Sequence, residues 1–212
     1  MPEILKPGTE ISEDAMINRA VTILTDGGII AYPTETFYGL GVDATHEEAI
    51  GKIFAVKGRN FKNPVSLIIA KPEDINMLVT DVPETAKKLI DAFWPGALTI
   101  VFQASDTVSP LLTAGTGKIG LRVSSHPIAL KIVQNMKKPL TATSANLSGA
   151  PECSTASEVA GQIGGKIDAI LDGGKTPGGA SSTLIDVTLN PPVVLREGSI
   201  SRQSIKEHLH VI

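Results

Sequence analysis

A chain of 212 residues with 42% hydrophobic and 19% charged residues can bury a sizeable core, which excludes bulk disorder and is typical of one α/β or all-β domain. A formal net charge of -3 excludes wholesale coating of nucleic acid. The apolar runs are far shorter than the roughly 20 residues of a membrane-spanning helix, and the acidic N-terminus does not resemble a secretory signal, so we expect a cytoplasmic protein without membrane contact.

Predicted strands alternate with predicted helices along the chain. Capping residues and apolar residues at helical spacing place the helix starts at Ser12, Thr45, Pro83, Ser125, Thr155 and Ser201. The predicted strands cover residues 28–32, 65–70, 97–103, 119–123, 140–143, 167–171, 182–188 and 192–196. Thr45 with Glu48, and Thr155 with Glu158, have the spacing of capping boxes. The first two helices end at glycines.

The order of these elements predicts the fold class. The run 65–70 is continuously apolar, so we expect this strand to be buried on both faces with helices on each side. Several strands follow one another directly near the C-terminus, which favours a mixed sheet over a purely parallel one. We therefore predict an α/β fold with a twisted, open mixed sheet flanked by helices, forming a single domain over residues 1–212.

Basic residues are unevenly distributed. No acid occurs between Glu48 and Glu73, or between Asp106 and Glu152. The basic residues inside these two windows are Lys52, Lys57, Arg59, Lys62, Lys71, Lys118, Arg122, Lys131, Lys137 and Lys138. If the windows fold against each other, they create a positive cleft for a small polyanion such as a nucleoside triphosphate. Two solvated basic faces are the alternative interpretation.

Three familiar kinds of site have little support. The segment GGKT at 173–176 resembles the end of a phosphate-binding loop, but the first glycine of that pattern falls on Ala169, so we interpret the segment as a surface loop. The single cysteine, Cys153, has no internal disulfide partner and no neighbouring His or Asp to activate it. The four histidines lack metal-ligand spacing: His46, His126, His208 and His210.

Polar residues cluster where predicted strands end, the side of an α/β sheet at which ligands usually bind. The clusters are PTETFYG at 33–39, KGRNFKNP at 57–64, LRV at 121–123, TSANLSG at 143–149, STLID at 182–186 and LREG at 195–198. Taken singly, each is also explained by a hydrogen-bonded turn or a surface ion pair.

Taken in order, the clusters resemble a known family. The segments are YPTETFYGLGVDA, KGRNFKNPVSLII, FWPGALTIVF, GLRVSSHP, PLTATSANLSGAP, STLIDVT and VVLREGSIS, and the chain resembles the threonylcarbamoyl-adenylate synthase family of the YrdC/Sua5 type from about residue 12 to about residue 198. The resemblance implies a YrdC/RibB-like fold with a positive concave surface. It implies that L-threonine and bicarbonate give a carbamate, which attacks the α-phosphate of ATP and expels pyrophosphate.

The resemblance also implies partners. Threonylcarbamoyl-AMP would be used by other threonylcarbamoylation proteins to form N6-threonylcarbamoyladenosine in tRNA, and tRNA is a candidate direct ligand. Mg²⁺ is expected with ATP, and no protein side chain is implied as its ligand. The chain ends soon after VVLREGSIS, so we expect the short form without the extra C-terminal domain of longer Sua5 proteins.

Site residues follow from matching the motifs of the family. The residues implied to form the catalytic core are Lys57 and Arg59 of a KxR pair and Ser144 and Asn146 of an SxN element. Those implied to contact ATP are Arg59, Asn63, Ser144 and Arg196. Those implied to hold L-threonine are Thr36, Arg122 and Ser182, with Arg122 pairing the carboxylate in bidentate fashion. Secondary candidates are Thr34, Glu35, Tyr38 and Lys118.

The sequence departs from the family pattern at two positions and leaves two other functions open. Ile68 stands where a histidine facing threonine is frequent, and Lys118 stands where a threonine near ATP is common. One alternative function is a non-catalytic module that binds tRNA or double-stranded RNA, although five Phe, two Tyr and one Trp offer few stacking platforms. The other is a related carbamoyl-adenylate-forming module that uses carbamoyl phosphate, as in hydrogenase-maturation enzymes.

Overall fold

The structure, a computed structural model, describes residues 1–8, 11–58 and 63–211. Within this part of the chain the α-helices are α1 (Glu13–Thr25), α2 (Glu47–Lys57), α3 (Glu84–Phe93), α4 (Pro110–Thr113), α5 (Pro127–Met136), α6 (Ala156–Ile163) and α7 (Arg202–Lys206). The strands are β1 (Glu3–Leu5), β2 (Ile30–Tyr32), β3 (Gly39–Gly41), β4 (Ser66–Ile68), β5 (Leu98–Gln103), β6 (Lys118–Arg122), β7 (Leu140–Ser144), β8 (Ala169–Leu171), β9 (Thr183–Asp186) and β10 (Val193–Arg196). Short 3₁₀ helices cover Pro72–Met77 and Gly164–Lys166.

All of these strands join one open, mixed sheet. Its order is β1-β8-β2-β3-β7-β4-β6-β5-β9-β10. Four pairs of neighbours are parallel, β1 with β8, β8 with β2, β4 with β6 and β5 with β9, and the other pairs are antiparallel. The predicted α/β class and mixed sheet are confirmed. Among the described helices, none is long and apolar enough to cross a membrane.

The core lies on both faces of the sheet, as the apolar run at β4 predicts. Leu67 belongs to the hydrophobic cluster that includes α2, α3 and α6. The next residue, Ile68, belongs to a second cluster with α1 and α5. Because side chains alternate between the faces of a strand, these two neighbours point to opposite layers. Ile68 is fully buried among apolar side chains, which explains why this position holds no polar group.

Helix capping follows the sequence prediction at some helix starts and departs from it at others. Ser12 caps α1, the Thr155–Glu158 capping box begins α6, and Ser201 caps α7. The predicted capping box of Thr45 and Glu48 is wrong, because His46 caps α2 by accepting a 3.3 Å hydrogen bond from the Ala49 amide. The hydroxyl of Thr45 donates instead to a buried carboxylate, that of Asp43. The predicted cap of α5 is displaced by one residue, from Ser125 to His126.

Asp43 is a buried carboxylate that ties β3 to the segment before β7. Its oxygens lie 2.7 Å from Nζ of Lys138 and 2.6 Å from Oγ1 of Thr45. Burial of the carboxyl raises its pKa, but the hydrogen bonds from Lys138 and Thr45 outweigh burial and hold the pKa below its ordinary value of 3.8. Asp43 therefore contributes stability that is present above pH 3.8 and is lost as the pH falls through the lowered pKa.

Asp43→Asn is expected to lower the free energy of unfolding by about 2 kcal/mol at pH 7, since it weakens a charge-assisted hydrogen bond. This difference shrinks as the pH falls below 3.8, because the wild-type carboxylate becomes protonated. Urea unfolding at pH 7 and pH 3 measures both values. The same substitution at the exposed Asp26 is the control, with an expected change under about 0.5 kcal/mol. An equal effect of Asp43→Asn at the two pH values would contradict this role.

Two strands were not predicted from sequence, β1 and β3. The segment of β3 reads GLG and follows a polar run, so it has the composition of a loop. It pairs with β2 on one side and β7 on the other. A Cβ at Gly39 would lie 2.8 Å from Cζ of Tyr32, and one at Gly41 would lie 2.7 Å from Cε1 of the same ring. Positions 39 and 41 of this strand are therefore glycines because the Tyr32 ring occupies the space that a side chain would need.

Candidate functional site

An open cleft of about 480 Å³ lies on one face of the sheet. Its floor follows the alternation of side chains along the strands: Lys118, Gly120 and Arg122 face it from β6, and Leu184 and Asp186 face it from β9. Tyr32 lines the cleft and also belongs to the hydrophobic cluster of α1 and α5. The cleft therefore lies on the same face of the sheet as these two helices. The cleft is therefore the part of this face that these helices leave open.

The predicted catalytic residues Lys57, Ser144 and Asn146 meet at the end of β7. Nζ of Lys57 donates to the main-chain oxygens of Ser144 and Asn146, the latter at 3.0 Å, and lies 3.1 Å from Oδ1 of Asn146. The hydroxyl of Ser144 donates to the same Oδ1 at 2.6 Å. Lys57 is 4% exposed, whereas Ser144 lines the cleft. The lysine thus places a buried positive charge beneath Ser144 and fixes the turn that carries it.

Two other residues were expected at this end of the cleft, Arg59 and Asn63. Arg59 lies outside the described residues. Asn63 immediately precedes Pro64, which lines the cleft. The catalytic roles of Lys57, Arg59, Ser144 and Asn146 stay predictions, as do the ATP contacts of Arg59, Asn63, Ser144 and Arg196.

Arg122 forms a buried ion pair at the end of β6. Its Nη1 lies 3.1 Å from Oε1 of Glu35, and only 7% of the Arg122 side chain is exposed. The other carboxylate oxygen of Glu35 accepts a hydrogen bond from the hydroxyl of Ser124. Arg122 also lines the cleft, so the residue that pairs with the Glu35 carboxylate also contributes to the cleft surface. Such an arrangement can present N–H donors to an anionic ligand group.

The turn between β2 and β3 forms a wall of the cleft beside Arg122. The hydroxyl of Thr34 donates to the main-chain oxygen of Phe37 at 2.6 Å and lies 3.1 Å from the hydroxyl of Thr36. Tyr38 donates to the main-chain oxygen of Gly174 at 2.7 Å. Burial raises the pKa of the Tyr38 hydroxyl to about 12, so it stays a donor. Thr34, Thr36 and Tyr38 all line the cleft.

The segment that includes GGKT packs against this turn. Besides the Tyr38 contact, the amide of Gly178 donates to the oxygen of Thr36, and the amide of Thr176 donates to the oxygen of Ser154, both at 2.9 Å. The segment after β8 thus leads along the cleft to Ser181 and Ser182, which line it. Its glycines at 174, 178 and 179 have positive φ, as an irregular connection requires.

Ser182 and Arg196 lie together at the start of β9. The hydroxyl of Ser182 is 3.0 Å from that of Thr99, and Nη2 of Arg196 donates to the main-chain oxygen of Ser182 at 2.9 Å. By strand register Thr99 lies beside the Arg122 end of β6, since Ile100 pairs with Leu121. The structure therefore brings Ser182 toward the same end of the cleft as Arg122 and the Thr34–Thr36 turn.

Lys118 lies at the other end of β6, about 13 Å from Arg122 along the strand. Its Nζ is 2.8 Å from Oδ2 of Asp186, and the other oxygen of that carboxylate, Oδ1, accepts hydrogen bonds from the amide and hydroxyl of Thr188. Burial raises the pKa of the Asp186 carboxyl, but the contacts with Lys118 and Thr188 outweigh it and lower that pKa. Lys118 is thus a paired cation in the cleft.

The two basic windows do lie side by side, because β4 runs between β6 and β7. Among the described residues of these windows, however, only part of the charge reaches the cleft. Lys131 pairs with Glu13 of α1, Lys138 pairs with Asp43, and Lys52 donates to the oxygen of Gly27. The cleft therefore receives Lys118 and Arg122 from the second window and the buried charge of Lys57 beneath Ser144.

Sequence reasoning named no candidate role for several residues that line the cleft, namely Ser66, Thr99, Glu152, Ser181 and Asp186, although Asp186 lies in the STLID cluster. Ser66 and Thr99 sit inside apolar strands, and their alternation with buried residues is the one signal that could have identified them. Among the residues the structure describes, no group of three or more His, Cys, Asp or Glu side chains could hold a metal ion. Cys153 is buried, and burial raises the pKa of its thiol to about 11, so it is a poor nucleophile.

Gly198 allows the chain after β10 to pack directly on Ser182. A Cβ at this glycine would lie 2.7 Å from the carbonyl carbon of Ser182 and 2.9 Å from its oxygen. Gly198→Ala is expected to lower the free energy of unfolding by about 2 to 3 kcal/mol, since backbone must shift. Gly51→Ala in α2 is the matched control: its Cβ meets nothing within 4 Å, and alanine favours the helix by about 1 kcal/mol. Urea unfolding compares the two, and equal effects would contradict the packing argument.

The fold and cleft define an α/β protein with a concave cleft lined by basic and hydroxyl side chains. The Sua5–YciO–YrdC family model, described as "Telomere recombination", matches residues 22–198. The chain belongs to this family. A curated threonylcarbamoyl-AMP synthase of Photobacterium profundum is 37% identical over 86% of this chain and 98% of its own length.

Longer relatives also match. A curated threonylcarbamoyl-AMP synthase of Pyrococcus abyssi is 41% identical over 92% of this chain, and the match spans 57% of its own length. The crystal structure of P. abyssi Sua5 complexed with L-threonine superposes with a TM-score of 0.92 at 38% identity, covering 100% of this chain and 62% of that chain. The chain thus spans little more than half of the P. abyssi synthase.

Proposed function

We propose that this protein is an L-threonylcarbamoyladenylate synthase. In this reaction L-threonine and bicarbonate form a carbamate, and the carbamate oxygen attacks the α-phosphate of ATP to give threonylcarbamoyl-AMP and pyrophosphate. The curated relatives carry the name of this activity, and P. abyssi Sua5 has been crystallised with L-threonine. The observation that carries the proposal is the meeting of Lys57, Ser144 and Asn146 at one wall of the cleft whose floor contains Arg122.

Arg122 and its neighbours are proposed to bind L-threonine. A guanidinium offers paired N–H donors that match a carboxylate, and Arg122 presents its own to the cleft. The hydroxyls of Thr36 and Ser182 lie on the walls near this end and supply short polar contacts for an amino acid. The amino group of the bound threonine is then held in a fixed position in the cleft. After this group has reacted with bicarbonate, the resulting carbamate is positioned to attack the α-phosphate of ATP.

Ser144 and the turn after it are proposed to hold the phosphates of ATP. The buried ammonium of Lys57 places a positive charge beneath Ser144, where negative charge gathers as pyrophosphate leaves. The Ser144 hydroxyl donates to Asn146 in this structure and is proposed to turn to a phosphate oxygen when ATP binds. Arg59, Asn63 and Arg196 are proposed as further ATP contacts. Mg²⁺ is proposed to arrive with ATP, held by its phosphates, as part of the substrate.

The product is proposed to pass to other threonylcarbamoylation proteins for tRNA modification in the cytoplasm, where ATP and tRNA are both present. A purely RNA-binding role has less support. Lys131 and Lys138 pair with Glu13 and Asp43, so their charges are partly neutralised and do not extend the cleft into a continuous basic face. Stacking on exposed aromatic side chains, which RNA-binding modules use, also has few candidates in this composition.

Pyrophosphate release tests the proposed reaction. The protein is incubated with ATP, Mg²⁺, L-threonine and bicarbonate, and each component is omitted in turn. Pyrophosphate release is expected to require all four components. L-Serine, which lacks the methyl group of L-threonine, is the matched comparison substrate. Release that continues without threonine and bicarbonate would overturn the assignment. Release supported by carbamoyl phosphate in place of threonine and bicarbonate would favour the related carbamoyl-adenylate reaction instead.

A further inference from the structure

Glu35 connects the turn between β2 and β3 to the end of β6. Its Oε1 lies 3.1 Å from Nη1 of Arg122, and its Oε2 accepts a hydrogen bond from Ser124. Only 13% of the Glu35 side chain is exposed. Within the described part of the chain, Oε1 is buried and accepts no well-aligned hydrogen bond, although it lies within ion-pair distance of the guanidinium. Glu35 is therefore held by Ser124 and by charge attraction to Arg122.

The charges of the cleft are not distributed evenly. Among the described residues that line it, the basic ones are Lys118, Arg122 and Arg196. Two of them have a carboxylate within ion-pair distance, Asp186 for Lys118 and Glu35 for Arg122. Arg196 donates to a main-chain oxygen instead. The guanidinium of Arg122 thus offers N–H donors with its own charge balanced by Glu35, whereas Arg196, near Ser182, keeps a positive charge that no described carboxylate balances.

Such a neutral pair discriminates between anions. A single carboxylate can still accept hydrogen bonds from the guanidinium, and an amino acid that carries this carboxylate as a zwitterion has no net charge. A phosphate dianion at the same place would bring two negative charges beside the Glu35 carboxylate, and like charges at close range repel strongly in a partly buried site.

We propose that Glu35 is a specificity-determining positioning residue. It orients the guanidinium of Arg122 toward the cleft and cancels its charge, so that this end accepts the carboxylate of an amino acid and excludes phosphate groups, including those of ATP. This inference rests on the proposed function, because it assigns the amino-acid substrate to the Arg122 end. Glu35 acts through Arg122, since among the described residues Arg122 lines the cleft and Glu35 does not.

Binding of inorganic phosphate tests the charge-matching role without any reaction. Calorimetry at low ionic strength compares wild type with Glu35→Gln, which keeps the shape of the side chain and removes its charge. Glu35→Gln is expected to bind phosphate at least about tenfold more tightly, since a like-charge repulsion is removed. Adding Arg122→Gln to this variant is expected to abolish the gain. Unchanged phosphate affinity in Glu35→Gln would overturn the proposal.

Glu152→Gln is the matched control. Glu152 lines the same cleft, and among the described residues it has no hydrogen bond or ion pair with Arg122. The substitution changes the net charge by the same amount, so a similar gain in phosphate affinity would show a general field effect and would also overturn the proposal. Ser124→Ala is a second test, since it removes the hydroxyl that donates to Glu35. A smaller gain in phosphate affinity is expected. No gain would argue against the proposed orientation of Glu35 toward Arg122.

Threonine binding gives the second readout. Glu35→Gln is expected to weaken L-threonine binding about tenfold and to make phosphate a competitive inhibitor against threonine, while the KM for ATP and kcat change less. Equal losses for threonine and ATP would indicate a merely structural role. Circular dichroism and thermal unfolding check that each variant folds. If the wild type releases no threonine-dependent pyrophosphate, the proposed function fails, and the phosphate comparison still decides the role of Glu35.

Discussion

Lys57→Met is expected to lower the rate of threonine-dependent pyrophosphate release by about 100-fold or more, since a fixed positive charge beneath Ser144 and the donor that orients its turn are both lost. The methionine keeps most of the volume of the lysine stem but cannot donate. The main-chain oxygens of Ser144 and Asn146 and the side-chain oxygen of Asn146 then lose the Lys57 donor. The Ser144 hydroxyl, which donates to that side-chain oxygen, loses its fixed direction as well.

The expected loss is in turnover more than in threonine affinity, because the Arg122 end of the cleft is carried by a different strand. A stability cost of about 1 to 3 kcal/mol accompanies it, since buried acceptors lose a donor. Single-turnover pyrophosphate release, threonine calorimetry and urea unfolding separate the three effects.

Lys52→Met is the matched control for this variant. Lys52 lies on the same helix, and its Nζ donates to the oxygen of Gly27, away from the cleft. It is expected to keep a rate near that of the wild type. A folded Lys57→Met protein with a near-normal rate would remove Lys57 from the catalytic core.

Arg122→Gln is expected to raise the KM for L-threonine by about 100-fold and the KM for ATP by less than about threefold. Loss of a charge-assisted pair with a carboxylate costs 2 to 5 kcal/mol, and about 2.7 kcal/mol corresponds to 100-fold. Arg122→Lys is expected to recover little of this loss, because an ammonium cannot make the paired contact of a guanidinium. Initial-rate kinetics with each substrate varied measures the division, and equal losses for threonine and ATP would contradict it.

Arg122→Gln also leaves the buried carboxylate of Glu35 without its cation. Arg122→Gln alone is therefore expected to lower the free energy of unfolding by about 3 kcal/mol. The double variant with Glu35→Gln removes both charges, so its stability is expected to return toward that of the wild type while threonine binding stays weak. Urea unfolding of the two single variants and the double variant measures this coupling. Additive losses would mean that the two side chains do not interact.

Local sequence patterns determined the class of the fold and most of its elements. The apolar run at β4 predicted burial on both faces because strand side chains alternate, and Leu67 and Ile68 do belong to opposite layers. Caps such as Ser12 and the Thr155–Glu158 box were correct because they depend on residues within one turn of each other. The motif PTETFYG was recognised as part of the site, but the strand within it was not.

Tertiary contacts decided the rest. Thr45 does not cap α2 because Asp43, buried beside Lys138, takes its hydroxyl. Four of the basic residues in the two windows pair with acids that are distant in sequence, namely Lys118, Arg122, Lys131 and Lys138. The Glu35–Arg122 pair joins residues 87 positions apart, and charge windows along the chain give no sign of it. Sequence sets which groups are present and how each strand alternates, whereas pairing between distant segments sets which charges remain to meet a ligand, because Coulomb attraction acts across space and not along the chain.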